Sequence, residues 1–197
     1  MIKKINVVLI SLLIIFGFFV CEIVTNNILI YDNAIYNFII NTFESDIMTK
    51  VLKLITQLGG VLYFTILSFL VVVLAKRKKT KLLIPINIGL GTIINLIIKE
   101  IIKRPRPSVT RLVNESGYSF PSGHAMTSIA FYGFLIYLIY KRIQNKYLKW
   151  ALIIVLCILI FLIGFSRIYL GVHYASDVIS GFIAGAIYLI IFIKISK

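Results

Sequence analysis

Residues 151–167 read ALIIVLCILIFLIGFSR, an apolar run that ends in a serine and an arginine. Its length is close to the ~20 residues that a helix needs to cross a bilayer. Six such runs divide the chain, at about residues 5–24, 55–75, 82–102, 124–140, 150–167 and 176–193. Because the bilayer core has no water to pair with backbone groups, they predict an all-α polytopic membrane protein, with six transmembrane helices in a single domain over residues 1–197.

The composition also indicates a membrane protein. Hydrophobic residues make up 60% of the 197 residues and the mean hydropathy is +1.00, whereas soluble domains are about 45–50% apolar. Cys21 and Cys157 lie in separate apolar runs and are predicted to be packing residues. No small residues precede Cys21 as a signal-peptide cleavage site requires, so the first run is predicted to remain as a span. The abundance of isoleucine, lysine and asparagine is typical of an AT-rich bacterial genome.

The charges predict which side of the membrane each loop occupies. Thirteen cations and no acid fall in segments 1–4, 76–81, 141–149 and 194–197, whereas the other side of a six-span bundle carries eight cations and all seven acids. The positive-inside rule therefore places both termini in the cytoplasm, in a multi-pass protein of the cell membrane. The formal net charge of +14 then reflects mainly which side of the membrane each loop occupies. Because these cations lie in short loops, they argue against nucleic-acid binding.

Two further segments have predicted packing roles. Residues 25–54 form an outer segment that is predicted to hold a helix on the membrane surface. Its apolar side chains are Ile35, Phe38, Ile39 and Phe43. This helix could be a lid beside a site or a simple connection, and we favour the connection. Gly181 and Gly185 give the last span a small-residue face. That face could dimerise, although packing within the bundle is favoured, and the oligomeric state stays open.

Three polar clusters interrupt the apolar runs, and the predicted topology places all three at the extracytoplasmic face. The first cluster is Lys99–Pro107. Pro105 and Pro107 end the third span, so Arg106 lies in a rigid, non-helical segment after it. The planar guanidinium of Arg106 is suited to binding phosphate oxygens. Basic residues often flank spans and reach the lipid headgroups. The outer side should be poor in cations, however, which favours a functional role.

The second cluster is Pro121-Ser122-Gly123-His124. Ser122 is predicted to cap the fourth span, whose N-terminus directs free N–H groups toward an anion. Gly123 lets the backbone approach a ligand closely, and His124 on the first turn could donate a proton to a leaving oxygen. Taken alone, these four residues fit a plain helix cap better than a site.

The third cluster contains Arg167, His173 and Asp177. His173 and Asp177 are four positions apart and share a helical face. Asp177 is therefore predicted to accept from one ring nitrogen of His173 and leave the other as a nucleophile. A structural ion pair is the alternative, but ionisable residues at membrane depth are usually functional. His124 has no such carboxylate, so the spacing makes His173 the better nucleophile and His124 the better acid.

Together the clusters supply a nucleophile with its orienting carboxylate, an acid, three cations and a helix N-terminus, which is the set that phosphoryl transfer needs. They hold no carboxylate cluster, so neither a metal nor another cofactor is predicted. The order Lys99-(six residues)-Arg106-Pro107, followed by the other two clusters, resembles the three-part signature of the type 2 phosphatidic acid phosphatase superfamily. The likeness is to its compact bacterial phosphatidylglycerophosphate phosphatase B and undecaprenyl pyrophosphate phosphatase type. Arg104 also precedes a proline, but the residue seven positions before it is Ile97 and not a lysine.

The resemblance implies a metal-independent lipid phosphatase and a role for each residue. His173 would attack phosphorus and form a phosphohistidine, Asp177 would orient it, and His124 would protonate the leaving group. The phosphate oxygens would be held by Lys99, Arg106, Ser122, Gly123 and Arg167. The partner would be a membrane lipid phosphate or pyrophosphate, such as phosphatidylglycerophosphate, phosphatidic acid or undecaprenyl pyrophosphate.

Two other functions fit parts of the pattern. A non-enzymatic membrane protein could keep the clusters as a phosphate-lipid-binding site, but it would have no use for a histidine with its own orienting carboxylate. A vanadate-dependent haloperoxidase has a similar site, but those enzymes are soluble and much larger than a six-span chain of 197 residues.

Overall fold

Helices account for most of the described residues. The computed structural model describes residues 2–25 and 27–196, with side chains from residue 5 onward. In this part of the chain there are eight helices and no strand, which confirms the all-α prediction. The helices are α1 (Ile2–Val24), α2 (Leu29–Phe43), α3 (Asp46–Gln57), α4 (Val61–Leu74), α5 (Lys78–Ile102), α6 (Gly123–Arg142), α7 (Lys146–Tyr169) and α8 (Ala175–Ile195). Lys197 and the side chains of Lys3 and Lys4, which enter the charge count, lie outside the described part, as does Asn26 of the outer segment.

Five helices are long and apolar enough to cross a membrane, namely α1, α5, α6, α7 and α8, and each contains one predicted run. The remaining predicted span, at 55–75, is not one continuous helix. α3 and α4 meet there at 54°. α4 has 14 residues, or about 21 Å of helix, which is less than the ~30 Å of hydrocarbon. A sixth crossing therefore requires α3 and α4 together, and the prediction of an unbroken helix is wrong.

The break between α3 and α4 has a packing cause. Gly59 lies so close to its neighbours that a Cβ there would be 2.5 Å from Cγ2 of Ile163 and 3.0 Å from Cδ2 of His124. Gly60 then precedes α4 in an extended conformation. The bend brings the backbone against His124, and hydropathy, which counts only apolar side chains, does not register such a contact.

The outer segment predicted at 25–54 consists of α2 and most of α3 and is packed against the bundle on one side. On α2, Asp32 and Ile39 are buried, whereas Phe38 is 65% exposed. Ser45 caps the start of α3, and its hydroxyl accepts from the backbone N–H of Met48 at 3.1 Å. The Tyr169 hydroxyl of α7 lies 2.8 Å from Oγ1 of Thr49 on α3. The segment is thus two helices held to the spans in part by polar contacts, and its position at the membrane surface stays a prediction.

α6 lies at the centre of the bundle, and α8 approaches its backbone closely. A Cβ on Gly181 would be 2.7 Å from the carbonyl oxygen of Ser122, and a Cβ on Gly185 would be 2.7 Å from that of Met126. Both contacts need glycine because a side chain would separate the helices. The prediction that this small-residue face packs within the bundle is confirmed.

Four helix ends meet at one end of the bundle. α5 ends before Lys103, which has a left-handed φ of 51°. α6 begins after Ser122, and α7 ends before a turn at Gly171 with a φ of 70°. Glycine is required at that turn, since a Cβ would also lie 2.7 Å from the carbonyl oxygen of Thr110. α8 then begins at Ala175, so all three polar clusters come to the same end.

Candidate active site

Two cavities lie at this end of the bundle, on either side of His124 and Glu115. One has a volume of about 370 Å³ and is lined in part by Lys99, Arg106 and Gly123. The other has a volume of about 530 Å³ and is lined in part by Arg167. The structure therefore brings four of the five predicted phosphate ligands, together with His124, to cavity walls.

His173 is buried between the cations and a carboxylate. Its Nε2 lies 3.2 Å from Nη1 of Arg106, and its Nδ1 lies 3.4 Å from Oγ of Ser119 and 3.6 Å from Oδ2 of Asp177. An arginine can only donate, so Nε2 must accept, and the ring proton belongs on Nδ1. Nε2 therefore carries the lone pair and faces Arg106, one of the cations predicted to bind phosphate.

Burial decides the protonation of His173. It lowers the pKa of His173 to about 4, although Asp177 acts in the opposite direction, and Arg167 and Lys99 lower the pKa further. The imidazole is thus neutral at physiological pH, as a nucleophile must be.

Asp177 is fully buried and its carboxylate is held on both oxygens. Oδ2 accepts from the Ser119 hydroxyl and from the backbone N–H of Tyr174, the latter at 2.9 Å, while Oδ1 accepts from Arg104 at 2.6 Å. A direct hydrogen bond from His173 to Asp177 was the expectation from the spacing of four. The 3.6 Å separation is too long for one. Nδ1–H instead points toward the Ser119 hydroxyl, which in turn donates to Asp177.

Lys99 and Arg106 are held by backbone carbonyls. Nζ of Lys99 donates to the carbonyl oxygens of Tyr118 at 2.5 Å and Ser119 at 3.2 Å. The Arg106 guanidinium donates to three carbonyls, those of Ser116, Gly117 and Val172, at 2.8–3.0 Å. Neutral carbonyls fix the two cations in place without neutralising their charge.

Arg167 is 1% exposed and shares a carboxylate with Arg106. Its Nη1 donates to Oγ1 of Thr56 at 2.8 Å and its Nη2 to Glu115. Its Nε has no hydrogen-bond partner among the described residues. Glu115 also lies 3.8 Å from Nη2 of Arg106. A carboxylate thus bridges two of the cations that were predicted to hold phosphate.

The N-terminus of α6 divides the second cluster into a cap and a cavity wall. Ser122 is fully buried, and its hydroxyl accepts from the backbone N–H of Ala125 at 3.5 Å. Gly123 and His124 line the cavity. Arg167, His173, Arg106 and Lys99 are all close enough to His124 to interact with it electrostatically. Ser122 therefore has the capping role, and the two residues after it face the site.

The sequence profile of the PAP2 superfamily matches residues 80–197. The chain belongs to the PAP2 superfamily. Among PAP2 relatives, phosphatidylglycerophosphatase B of Bacillus subtilis (strain 168) is 35% identical over 145 residues, which is 70% of each protein. Lipid phosphate phosphatase delta of Arabidopsis thaliana is 30% identical over 115 residues, covering 51% of this chain and 27% of that protein.

A solved PAP2 structure has the same fold. The crystal structure of the transmembrane PAP2 type phosphatidylglycerolphosphate phosphatase from Bacillus subtilis superposes with a TM-score of 0.87 at 29% identity. The match covers 95% of this chain and 94% of that one. The similarity therefore extends to the helices before residue 80, where the family profile does not reach.

Several residues of this PAP2 site were not predicted from the sequence. They are Asp32, Thr56, Arg104, Glu115 and Ser119. Arg104 did carry a signal, because it is a second arginine before a proline in the first cluster. The others contact the site through pairings distant in sequence, such as that of Thr56 with Arg167 across 111 positions. No group of three or more histidine, cysteine, aspartate or glutamate side chains suited to a metal occurs in the described residues.

Proposed function

We propose that this chain, as a single membrane domain, is a metal-independent lipid phosphatase that works through a phosphohistidine on His173. One observation carries the proposal. The Nε2 lone pair of His173 faces Arg106, while the opposite ring nitrogen is held by the Ser119 hydroxyl, which donates to Asp177. A histidine fixed in this way is suited to attack an anion bound by cations.

In the proposed reaction, Nε2 of His173 forms a bond to phosphorus as the bond from phosphorus to the lipid oxygen breaks. His124 gives its proton to that leaving oxygen. The phosphate oxygens are held by Lys99, Arg106 and Arg167 and by the N–H groups at the start of α6 near Gly123. Asp177, through Ser119, stabilises the positive charge that develops on the ring.

Water completes the cycle. A water molecule loses a proton to His124 and attacks the phosphohistidine, so that inorganic phosphate leaves and both histidines return to their starting states. Glu115 bridges Arg106 and Arg167 and must move aside when phosphate binds between them. Its side chain is 27% exposed, which gives it room to do so.

The proposed substrates are lipids with a terminal phosphate, namely phosphatidylglycerophosphate, phosphatidic acid or undecaprenyl pyrophosphate. The name of the Bacillus subtilis relative supports the first of these. The site would face outward and both termini would lie in the cytoplasm, because the cation-rich loops at 76–81 and 141–149 join helices at the opposite end of the bundle.

The test is phosphate release by the purified chain from a side-by-side panel of these lipids in detergent, with EDTA present. We expect turnover by the wild type, loss of turnover in His173→Ala, and a different kcat/KM for each lipid. A wild type that binds these lipids without releasing phosphate would support the non-enzymatic alternative. Full activity in His173→Ala would refute the phosphohistidine.

A further inference from the structure

Arg104 has no role in the proposed reaction, yet it is buried directly behind the orienting carboxylate. Its Nη1 donates to Oδ1 of Asp177 at 2.6 Å and to Oγ of Ser176 at 2.8 Å. Its Nη2 donates to Oδ2 of Asp32 at 2.8 Å. Its Cζ lies 4.1 Å above the centre of the Tyr174 ring. One planar guanidinium therefore connects the loop after α5 to α2 and to the start of α8.

Asp32 is as thoroughly paired as Arg104. It is 2% exposed, and its Oδ1 accepts from the backbone N–H of Ser176 at 2.8 Å. Its Oδ2 accepts from the Ser176 hydroxyl at 2.6 Å. Asp32 thus fixes Arg104 from one side while Asp177 holds it from the other, and the cation separates two buried carboxylates.

We infer that Arg104 is a positioning residue for the reaction. By holding Oδ1 of Asp177 it turns Oδ2 toward Ser119 and His173, and Asp32 keeps Arg104 in place. This inference rests on the proposed function, because it assigns Arg104 to the orientation of the proposed nucleophile. A planar fork suits the task, since a lysine could not reach both carboxylates and Ser176 from one point charge.

A purely structural role is the alternative, in which Arg104 only neutralises Asp32 so that α2 can dock. The two roles predict different activities for a variant that lacks the charges of both Arg104 and Asp32. Arg104→Gln alone leaves Asp32 and Asp177 buried without their cation, which costs stability in either case. In Asp32→Asn/Arg104→Gln the carboxylate of Asp32 is gone as well, so docking recovers, while Oδ1 of Asp177 still lacks its cation.

The experiment compares the wild type, Arg104→Lys, Arg104→Gln, Asp32→Asn and the double variant in one lipid phosphate assay, with thermal unfolding in detergent measured for each. We expect the double variant to fold and to keep a kcat about 100-fold below the wild type, because a misplaced catalytic group can cost that factor. KM should change little, since Lys99, Arg106 and Arg167 are intact. Arg104→Lys should fold and lie between the wild type and the double variant.

The pH profile provides a second readout of the contact between Arg104 and Asp177. Without Arg104, the charge of Asp177 acts undiminished on His173 and favours its protonated ring. The acidic limb of kcat/KM should therefore shift to higher pH in the double variant. Arg111→Gln is the matched control, because Arg111 lies in the same loop and donates to the carbonyl oxygen of Pro107.

The outcomes separate the two proposals. A folded double variant or Arg104→Lys with wild-type kcat and an unmoved acidic limb would overturn the role of Arg104 and leave the phosphatase intact. A wild type that releases no phosphate from any lipid would overturn the proposed function itself. Reduced kcat in Arg104→Lys supports positioning even if Arg104→Gln does not fold.

Discussion

The glycine at the break between α3 and α4 provides a direct test of how His124 is held. A Cβ on Gly59 would lie 2.5 Å from Cγ2 of Ile163 and 3.0 Å from Cδ2 of His124. Carbon atoms at their optimal separation are about 3.5–4.0 Å apart. In Gly59→Ala, therefore, the contact to Ile163 must open by roughly 1 Å and that to His124 by roughly 0.5–1 Å. Ile163 is fully buried, so part of the shift must fall on the imidazole.

The expected magnitude follows from that displacement. An extra methyl group in a packed core costs about 1–3 kcal/mol of stability. A shift of about 1 Å in a catalytic group can cost about 100-fold in rate. We therefore expect Gly59→Ala to fold with a reduced melting temperature and to lose about 10- to 100-fold in kcat. KM should change less, because Lys99 and Arg106 are held by other elements.

The assay is phosphate release from a lipid phosphate in detergent micelles, with kcat and KM determined separately. Gly60→Ala is the near control, since its Cβ would lie 3.9 Å from Nε2 of His124 and 3.1 Å from the carbonyl oxygen of Gln57. Gly89→Ala is the distant control, because a Cβ there would meet no atom within 4 Å beyond its own stretch of helix. A folded Gly59→Ala with the kcat of the wild type would refute the proposed placement of His124 by this backbone.

Three further predictions address the nucleophile and its support. Because burial lowers the pKa of His173 to about 4, its ring is neutral above that pH, and kcat/KM should fall only as the pH drops through about 4. A pH profile whose acidic limb lies near the ordinary histidine pKa of about 6.5 would contradict this prediction. Ser119→Ala should lower kcat by less than about tenfold, because Asp177 can then accept directly from His173. Asp177→Asn should lower kcat by about 10⁴-fold. Equal losses of kcat in the two variants would contradict a bridging hydroxyl. Gly181→Ala places a Cβ 2.7 Å from the carbonyl oxygen of Ser122. The free energy of unfolding of this variant, measured in detergent, should therefore fall by about 1–3 kcal/mol. An unchanged free energy of unfolding would show that α6 and α8 can separate without cost.

Features that depend on local sequence were predictable. Five spans follow from uninterrupted apolar runs, since backbone pairing in lipid leaves only a helix. The ends of those helices follow from Pro105, Ser122 and Gly171. The meeting of the three clusters then follows from topology, because consecutive spans reverse direction and bring alternate ends to one side.

The remaining features depend on contacts between distant parts of the chain. The chain bends at Gly59 because the backbone packs against Ile163, which lies 104 positions later. A hydropathy profile evaluates each apolar run separately and contains no information on such a contact. Asp32 pairs with Arg104 across 72 positions, through the docking of a helix whose apolar residues suggested only a membrane surface. Ser119 enters between His173 and Asp177 from a loop. His173 itself lies in the turn before α8 and not on the helix, so the prediction of a shared helical face is wrong, and it overestimated how directly the two residues touch.

The links from Asp32 to Arg104 and to Ser176 also have a consequence for the timing of activity in a living cell. Asp32 and Ser176 are 144 positions apart. At about 5–20 residues per second, roughly 7–30 s of translation separate them. For nearly all of that interval His173 has not been made, and Asp177 follows only after Ser176. The proposed hydrolysis of lipid phosphates can therefore begin only once the last helix has been made and inserted.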